Sequence, residues 1–324
     1  MIIVCGEALF DVFCDGDTPG GYALSAKVGG SPFNVAVGLA RLGLRPVYFG
    51  GLSADMFGRK LAATLAGEGV DLSCAPRPAA PTALVTVDLD AGGVPAYTLY
   101  GGATAERAVT TEDIDRVPAG AAAIHVGSYC MAVEPVASAL RALVARQHSR
   151  SVIAFDPNAR LTIQPDRNAW TSAIAWMLPR TDLLKISDED LRLLYPELTP
   201  RAFIALALQA GVALVVVTRG GEGVLAATAT LAPVELPALK IDVADTVGAG
   251  DTFQAALLAY LSRHGLLTRG ALAALDARAL RAALDFAARA AAITCSRRGA
   301  DLPRLDEVLA CERVAGPGMT TLDT

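Results

Sequence analysis

One acidic side chain follows a glycine-rich segment late in the chain, in the run Gly248-Ala249-Gly250-Asp251. Apolar residues then recur at helical spacing from Phe253 to Leu261, which places the run at the start of a predicted helix. A helix start has unpaired N–H groups and a positive dipole end, and glycines let an anion approach them. The run therefore predicts a phosphate site. Asp251 fits there as a first-turn acidic residue, the commoner case, or as a base that deprotonates an attacking hydroxyl.

A second glycine pair precedes an earlier predicted helix, in the run 29–34, Gly-Gly-Ser-Pro-Phe-Asn. Ser31 is expected to be the N-cap and Pro32 the first helical residue. Two glycines let a polyol lie against bare backbone while Asn34 hydrogen-bonds its hydroxyls, although a plain turn into a helix explains the same residues. Asp11 follows the first predicted strand. Ligands bind at the carboxyl ends of strands in α/β sheets, but taken alone Asp11 is a turn residue.

Together, the run Asp-Thr-Val-Gly-Ala-Gly-Asp-Thr-Phe at 245–253 and the run at 29–34 resemble the two signatures of the ribokinase-like (PfkB) carbohydrate kinases. The resemblance extends from Gly6 to Pro303. It is greatest to the fructokinases, because Asp-Pro-Asn-x-Arg at 156–160 is typical of that branch. It implies a three-layer α/β/α fold with a mostly parallel central sheet and a small β lid.

The resemblance also implies roles for individual residues. Gly248, Ala249 and Gly250 would form the anion hole, with Asp251 as the base and Arg160 on the other side of the transferred phosphoryl group. The implied sugar-binding residues are Asp11, Gly29, Gly30, Asn34, Tyr100, Arg160 and Asp251. The implied nucleotide-binding residues are Lys185, Ser187, Thr218, Gly221, Gly223, Gly248, Gly250 and Cys295.

Metal sites follow from the same resemblance. Glu189 and Asp190 are expected to hold Mg²⁺ through water, and Asp245 to hold a monovalent cation, K⁺. The family usually has Asn-x-x-Glu where this chain has Ser187 and Asp190. Asp190 is one methylene shorter than glutamate, so Glu189 is the alternative metal residue.

The expected activity is ATP-dependent phosphorylation of D-fructose to D-fructose 6-phosphate. Ribose, a nucleoside or 2-keto-3-deoxygluconate remain alternative substrates, and a non-catalytic sugar-binding protein on the same fold is an alternative class. An acid substrate would require an extra cation near the lid, where Arg107 is the only arginine close to the second hairpin. This composition favours a neutral sugar.

The sequence argues against two other nucleotide-binding folds. Gly221-x-Gly223-x-x-Ala226 matches the dinucleotide fingerprint, but that fingerprint opens a helix, whereas the residues after Gly223 predict a strand. No lysine follows a glycine, so the chain has no P-loop motif. Both a Rossmann dehydrogenase and a P-loop kinase are therefore disfavoured.

Composition and charge further narrow the class of protein and its expected partners. The 324 residues are 53% hydrophobic and 19% charged, with a net charge of −5, which predicts a large buried core. The chain has no Lys/Arg-rich run and no apolar stretch of about 18 residues, so neither nucleic acid nor a membrane is an expected partner. The first residues read as a buried strand rather than a signal peptide, and the six scattered cysteines suggest a reducing, cytoplasmic location.

Strand-like and helix-like segments alternate along most of the chain, as in a parallel sheet covered by helices. Two predicted hairpins, near 10–25 and 82–101, interrupt this order. We therefore expect a core of residues 1–11, 26–81 and 102–324, and a discontinuous lid of residues 12–25 and 82–101. Apolar residues on the lid strands are expected to be exposed and to pair with a second subunit as a homodimer; they are Val12, Phe13, Val85 and Val87.

Overall fold

A computed structural model of the chain describes residues 1–89 and 95–311. The strands of this part are β1 Ile2–Cys5, β2 Leu9–Thr18, β3 Gly21–Gly29, β4 Val47–Phe49, β5 Leu84–Leu89, β6 Pro95–Tyr100, β7 Ala123–Gly127, β8 Val152–Asp156, β9 Leu183–Ser187, β10 Leu214–Thr218, β11 Val224–Thr228 and β12 Leu231–Leu236. The α-helices are α1 Ser31–Arg41, α2 Met56–Gly67, α3 Val136–Gln147, α4 Arg167–Met177, α5 Asp188–Leu194, α6 Pro200–Gln209, α7 Ala249–Arg263, α8 Arg269–Ala273, α9 Ala277–Cys295 and α10 Leu305–Ala310.

Eight strands form the large sheet, in the order β12-β11-β10-β9-β8-β7-β1-β4. The six strands from β10 to β4 are parallel, and β11 and β12 extend the sheet in antiparallel fashion. The expected α/β class with a mostly parallel sheet is confirmed. The predicted strand after Gly223 is confirmed as β11, which removes the dinucleotide-fingerprint alternative because no helix begins there.

Both faces of the large sheet are buried, which makes the fold three-layered. On β1, Ile2 and Val4 pack into one hydrophobic cluster, whereas Ile3 and Cys5 pack into another. Successive side chains of a strand point to opposite faces, so the two clusters lie on opposite sides of the sheet. The first cluster contains the apolar faces of α1, α7 and α9, and the second those of α3, α4 and α6. This double burial explains why the strands are continuous apolar runs.

Four strands form the small sheet, in the order β3-β2-β5-β6. The pairs β2–β3 and β5–β6 are antiparallel, and β2 joins β5 in parallel. Both predicted hairpins are therefore present as paired strands. The predicted turn of the second hairpin, residues 90–93, lies outside the described residues.

The expected exposure of the four named lid side chains was wrong. Val12 and Val85 are buried, and Phe13 and Val87 are half-buried. Val85 packs into the second hydrophobic cluster of the core. Among the side chains of this sheet whose burial is described, the large apolar ones that are exposed are Tyr22, Leu24 and Tyr100, at 68%, 61% and 60%. They lie on its outer strands, β3 and β6.

The helices of residues 1–89 and 95–311 include none that has both the length and the hydrophobicity of a membrane span.

Candidate active site

The anion-binding segment lies at the start of α7. Gly248 is the N-cap residue and has a left-handed backbone with φ of 78°. A Cβ there would lie 2.7 Å from the Cβ of Ala300, so both conformation and space require glycine. The N–H of Ala249 donates to the carbonyl of Thr246 at 3.2 Å. The N–H groups of Gly250 and Asp251 have no acceptor within the described part of the chain and are open to an anion.

The Asp251 side chain is held from both sides by the first turn of α1. The Ser31 hydroxyl donates to Oδ1 at 2.6 Å, and the Asn34 amide donates to Oδ2 at 2.8 Å. All three side chains are at least nine-tenths buried. Because each carboxylate oxygen accepts one hydrogen bond, the plane of the carboxylate is fixed while further lone pairs remain.

The close approach of α1 to α7 makes these bonds possible. A Cβ at Gly38 would lie 2.7 Å from the Cβ of Ala255, so the backbone of α1 packs directly against the Ala255 side chain of α7 at this point. Asn34 and Gly38 are one turn apart on α1, as Asp251 and Ala255 are on α7. The contact therefore places Asn34 opposite Asp251.

The expectation that Ser31 is the N-cap of α1 was wrong. Gly30 takes the cap position with φ of 106°, and Ser31 is the first helical residue. A Cβ on Gly30 would lie 2.7 Å from the carbonyl oxygen of Glu7. The cap thus needs glycine, which frees the Ser31 hydroxyl to bind Asp251.

The predicted sugar-binding residues gather beside this carboxylate. Asp11 lies within β2, where it pairs with Lys27 of β3. A side chain on Gly29 would collide with the Asp11 carboxylate, so glycine leaves that carboxylate its place. Burial raises the pKa of Asp11 to about 6. The Arg160 guanidinium opposes this rise, and the Asp251 carboxylate adds to it. Arg160 and Asp251 are thus both near Asp11.

Two predicted sugar ligands are placed less closely. Arg160 is exposed, and its Nη1 donates to the neighbouring carbonyl of Ala159 at 2.9 Å. Tyr100 pairs with Leu84 at the end of β6, and its exposed side chain makes no hydrogen bond within the described chain. The electrostatic effect of Arg160 on Asp11 places Arg160 near the site, whereas Tyr100 has no such link within the described residues.

A buried ion pair supports α7 from below. Lys185 of β9 donates to Asp156 Oδ2 at 2.8 Å, with side-chain exposures of 3% and 1%. Burial opposes the charge, but the carboxylates of Asp156, Asp190 and Asp251 together raise the pKa of Lys185. A Cβ on Gly250 would lie 3.0 Å from Lys185 Nζ. The ammonium therefore sits directly behind the anion-binding segment.

The predicted metal residues differ in what they contact. Ser187 and Asp190 form a capping box at the start of α5, with Ser187 Oγ donating to Asp190 Oδ2 at 2.7 Å. The other oxygen, Oδ1, accepts from the N–H of Ala159 at 2.8 Å. Asp190 thus ties α5 to the segment before Arg160. Glu189 is exposed beside it.

The predicted nucleotide residues lie along the neighbouring strand ends. Thr218 ends β10, and Gly221 has open space where a side chain would be. Gly223 has φ of 95° and lies against the carbonyl of Leu236. The backbone itself therefore requires glycine at this position, whether or not a ligand binds. Gly221, like Gly220 before it, therefore leaves room for a ligand in this turn.

Asp245 and Cys295 join the start of α7 to the end of α9. Asp245 Oδ1 accepts from the N–H of Val247 at 3.0 Å, and Oδ2 accepts from the N–H of Gly299 at 2.8 Å. The carbonyl of Cys295 accepts from the N–H groups of Ala244 and Asp245. These bonds hold the closing loop 296–303 against the anion-binding segment.

Two features of this region were not predicted from the sequence: the buried carboxyl of Glu7, and the ion pair that Asp156 forms with Lys185. Glu7 is 1% exposed, and its Oε1 accepts from the N–H of Ser31 at 3.3 Å. Its signal was a charged residue within an otherwise apolar strand end. Among residues 1–89 and 95–311, no three His, Cys, Asp or Glu side chains converge as a metal site. Asp156 Oδ1 is a buried acceptor without a hydrogen-bond partner there.

Known proteins resemble this chain over most of its length. A family model described as pfkB family carbohydrate kinase matches residues 1–307. A fructokinase from Rhizobium leguminosarum bv. trifolii is 37% identical over 282 residues, covering 87% of this chain and 86% of that protein. The crystal structure of fructokinase with bound ATP from Xylella fastidiosa has a TM-score of 0.85 at 29% identity, covering 95% of this chain and 96% of that chain. A fructokinase double mutant from Vibrio cholerae O395, bound to fructose, ADP and a potassium ion, has a TM-score of 0.81 at 27% identity, covering 95% and 97%.

Proposed function

The chain belongs to the pfkB family of carbohydrate kinases, and from that premise we propose that it is an ATP-dependent fructokinase. It transfers the γ-phosphoryl group of ATP to the primary hydroxyl of D-fructose, giving D-fructose 6-phosphate and ADP. The names of the relatives at up to 37% identity support fructose as the substrate. A kinase that consumes ATP in this way is expected to work in the cytoplasm.

One observation carries the proposal, namely the position of Asp251. Its carboxylate is buried and oriented by Ser31 and Asn34, and its own N–H and that of Gly250 are free at the start of α7. A base and an anion site therefore share one residue. A hydroxyl that reaches this carboxylate is thereby beside the transferred phosphoryl group.

The residues divide the transfer between them. Asp251 accepts the proton of the sugar hydroxyl as its oxygen bonds to the γ-phosphorus, and the bond to the β-phosphate oxygen breaks with its electron pair leaving on ADP. The N–H groups of Gly250 and Asp251 stabilise negative charge on the phosphoryl oxygens, and Arg160 faces the other side. A carboxylate at a helix start is a weak base, which suffices because proton transfer comes late in a loose transition state.

The residues fit a magnesium ion that is held mainly by the nucleotide. Mg²⁺ keeps several waters and uses one or two carboxylates together with substrate phosphates, so it does not need a cluster of three acidic side chains. The free Oδ1 of Asp156, with Glu189 and Asp190, would hold its water shell. When bound, the ion neutralises phosphate charge. K⁺ would lie near Asp245, where the carboxylate already orders the closing loop.

The pocket suits a neutral sugar better than a sugar acid. Arg107, the cation that an acid would need near the lid, lies 3.8 Å from the Glu106 carboxylate and over the ring of Tyr129. Its charge is therefore already countered. Asp11 provides a carboxylate that suits paired hydroxyls and would repel an acid.

We also propose that the protein is a homodimer formed through the small sheet. Its outer strands expose Tyr22, Leu24 and Tyr100. Exposed apolar side chains on edge strands favour pairing with a second chain. Sedimentation of the purified protein tests this, with a variant carrying both Tyr22→Lys and Leu24→Lys for comparison. The unaltered chain should have the mass of a dimer and the variant that of a monomer. A monomeric mass for the unaltered chain contradicts the proposal.

The function is tested by ATP turnover with a panel of acceptors. Purified protein is mixed with MgATP and D-fructose, D-glucose, D-ribose, adenosine or 2-keto-3-deoxygluconate, and ADP release is followed with a coupled assay. We expect the highest kcat/KM with fructose. Higher turnover of another acceptor reassigns the substrate, and turnover with none of them supports the non-catalytic sugar-binding alternative.

Asp251→Asn tests the base within the same assay. The amide keeps the shape of the side chain but accepts no proton, so kcat is expected to fall by ~10²–10⁴-fold. Nucleotide binding, measured by calorimetry, should change little because the backbone N–H groups remain. Turnover close to that of the unaltered protein would show that Asp251 is not the base.

A further inference from the structure

Ser31 makes the shorter of the two hydrogen bonds that hold Asp251, yet neither the family signature nor the proposed sugar site gives it a role. Its hydroxyl lies 2.6 Å from Asp251 Oδ1, while Asn34 occupies Oδ2 at 2.8 Å. The serine side chain is buried, with 8% exposure. A hydrogen bond to a charged group of this length is among the stronger kinds in proteins.

Ser31 is itself fixed by its surroundings. Glu7 Oε1 accepts from its backbone N–H at 3.3 Å. On one side of it, Gly30 has φ of 106° and no space for a side chain beside the carbonyl of Glu7; on the other, Pro32 packs against Gly6. The first turn of α1 therefore cannot shift without moving the end of β1. A hydroxyl on such a turn has little freedom and can serve as a rigid support.

We infer that Ser31 is a positioning residue for the phosphoryl transfer, because its hydroxyl holds the Asp251 carboxylate in the orientation in which a free lone pair faces the sugar hydroxyl. This inference rests on the proposed role of Asp251 as the base. A carboxylate has about four acceptor positions, of which Ser31 and Asn34 take two. The sugar hydroxyl takes a third. Ser31 keeps its own proton throughout.

Removing the hydroxyl leaves the carboxylate free to rotate about its Cβ–Cγ bond, so fewer bound complexes have the productive geometry. The Asn34 amide is then the only side chain in the described residues that holds the Asp251 carboxylate by a hydrogen bond.

The test compares Ser31→Ala with Ser31→Thr. In Ser31→Ala, kcat is expected to fall about 10-fold, whereas KM for fructose and for ATP changes less than about 3-fold. Ser31→Thr restores a hydroxyl and is expected to recover most of kcat. Ser151→Ala is the matched control, because Ser151 is equally buried but its hydroxyl has no partner in the described chain and lies at the far end of β8. It should leave kcat unchanged.

A double mutant separates this inference from the proposed function. If Ser31 acts through Asp251, adding Ser31→Ala to Asp251→Asn lowers kcat no further. Full additivity of the two losses overturns the inference, as does an unaltered kcat in Ser31→Ala. So does a loss of kcat that Ser31→Thr fails to recover while the thermal unfolding temperature falls in both variants, since that pattern indicates a structural role only. Activity retained by Asp251→Asn alone would instead refute the proposed base.

Discussion

Glu7→Gln is expected to change how the stability of this protein depends on pH. Glu7 is 1% exposed, beside the first turn of α1, and its Oε2 has no hydrogen-bond partner within the described residues. Burial, assisted by the nearby Asp251 carboxylate, raises the pKa of Glu7 from 4.5 to about 7. Glutamine keeps the shape and an acceptor for Ser31 but cannot ionise.

The sign and size follow from proton linkage. Between pH 4.5 and pH 7 the folded protein holds a proton on Glu7 that the unfolded chain has released. The free energy of unfolding therefore falls as pH rises through this window and is constant above it. At about 1.4 kcal/mol for each unit between the two pKa values, the full loss is about 3 kcal/mol. In Glu7→Gln this loss is absent.

The assay is urea unfolding between pH 4.5 and 8, followed by tryptophan fluorescence. From pH 4.5 to pH 8, the free energy of unfolding of Glu7→Gln should rise by about 3 kcal/mol relative to that of the unaltered protein. Asp11, whose pKa is also raised by burial, titrates in both proteins and cancels in the difference. Glu112→Gln, at an exposed position, is the control. A difference between Glu7→Gln and the unaltered protein that stays constant to within ~0.5 kcal/mol across the range refutes the reasoning.

Two further predictions concern the supports of the site. Gly38→Ala is expected to force α1 away from α7, which lowers the free energy of unfolding by ~1–3 kcal/mol and reduces kcat. Gly67→Ala, at the open end of α2, should be neutral. Urea unfolding and turnover of both variants check this, and equal effects of the two substitutions would contradict it. Lys185→Met leaves Asp156 buried without its counter-charge and is expected to cost ~3–5 kcal/mol, whereas Arg201→Met in an exposed ion pair should cost less than ~1 kcal/mol. Urea unfolding measures both, and a smaller cost for Lys185→Met would show that the buried pair is not needed.

Much of the fold was predictable from local patterns. The apolar runs that became β1, β8 and β10 and the glycine-led start of α7 have signals within a few residues, because burial on both faces and helix-start geometry are local demands. The two hairpins of the small sheet were equally visible. Their joining through a parallel β2–β5 pair was not, since it links segments more than 70 residues apart and leaves no local pattern.

The candidate site divides in the same way. Types and spacing in the sequence drew attention to Asp251, Asn34 and the two glycine-rich segments, because an anion site at a helix start needs small residues in consecutive positions. Their expected roles came from the resemblance to the pfkB carbohydrate kinases. Only the tertiary structure decided that Gly30, not Ser31, caps α1, and that Ser31 and Asn34 bind the Asp251 carboxylate. The reason is distance along the chain: these contacts join residues 220 and 217 positions apart. They exist because α1 and α7 touch at Gly38, a packing detail that no local segment encodes.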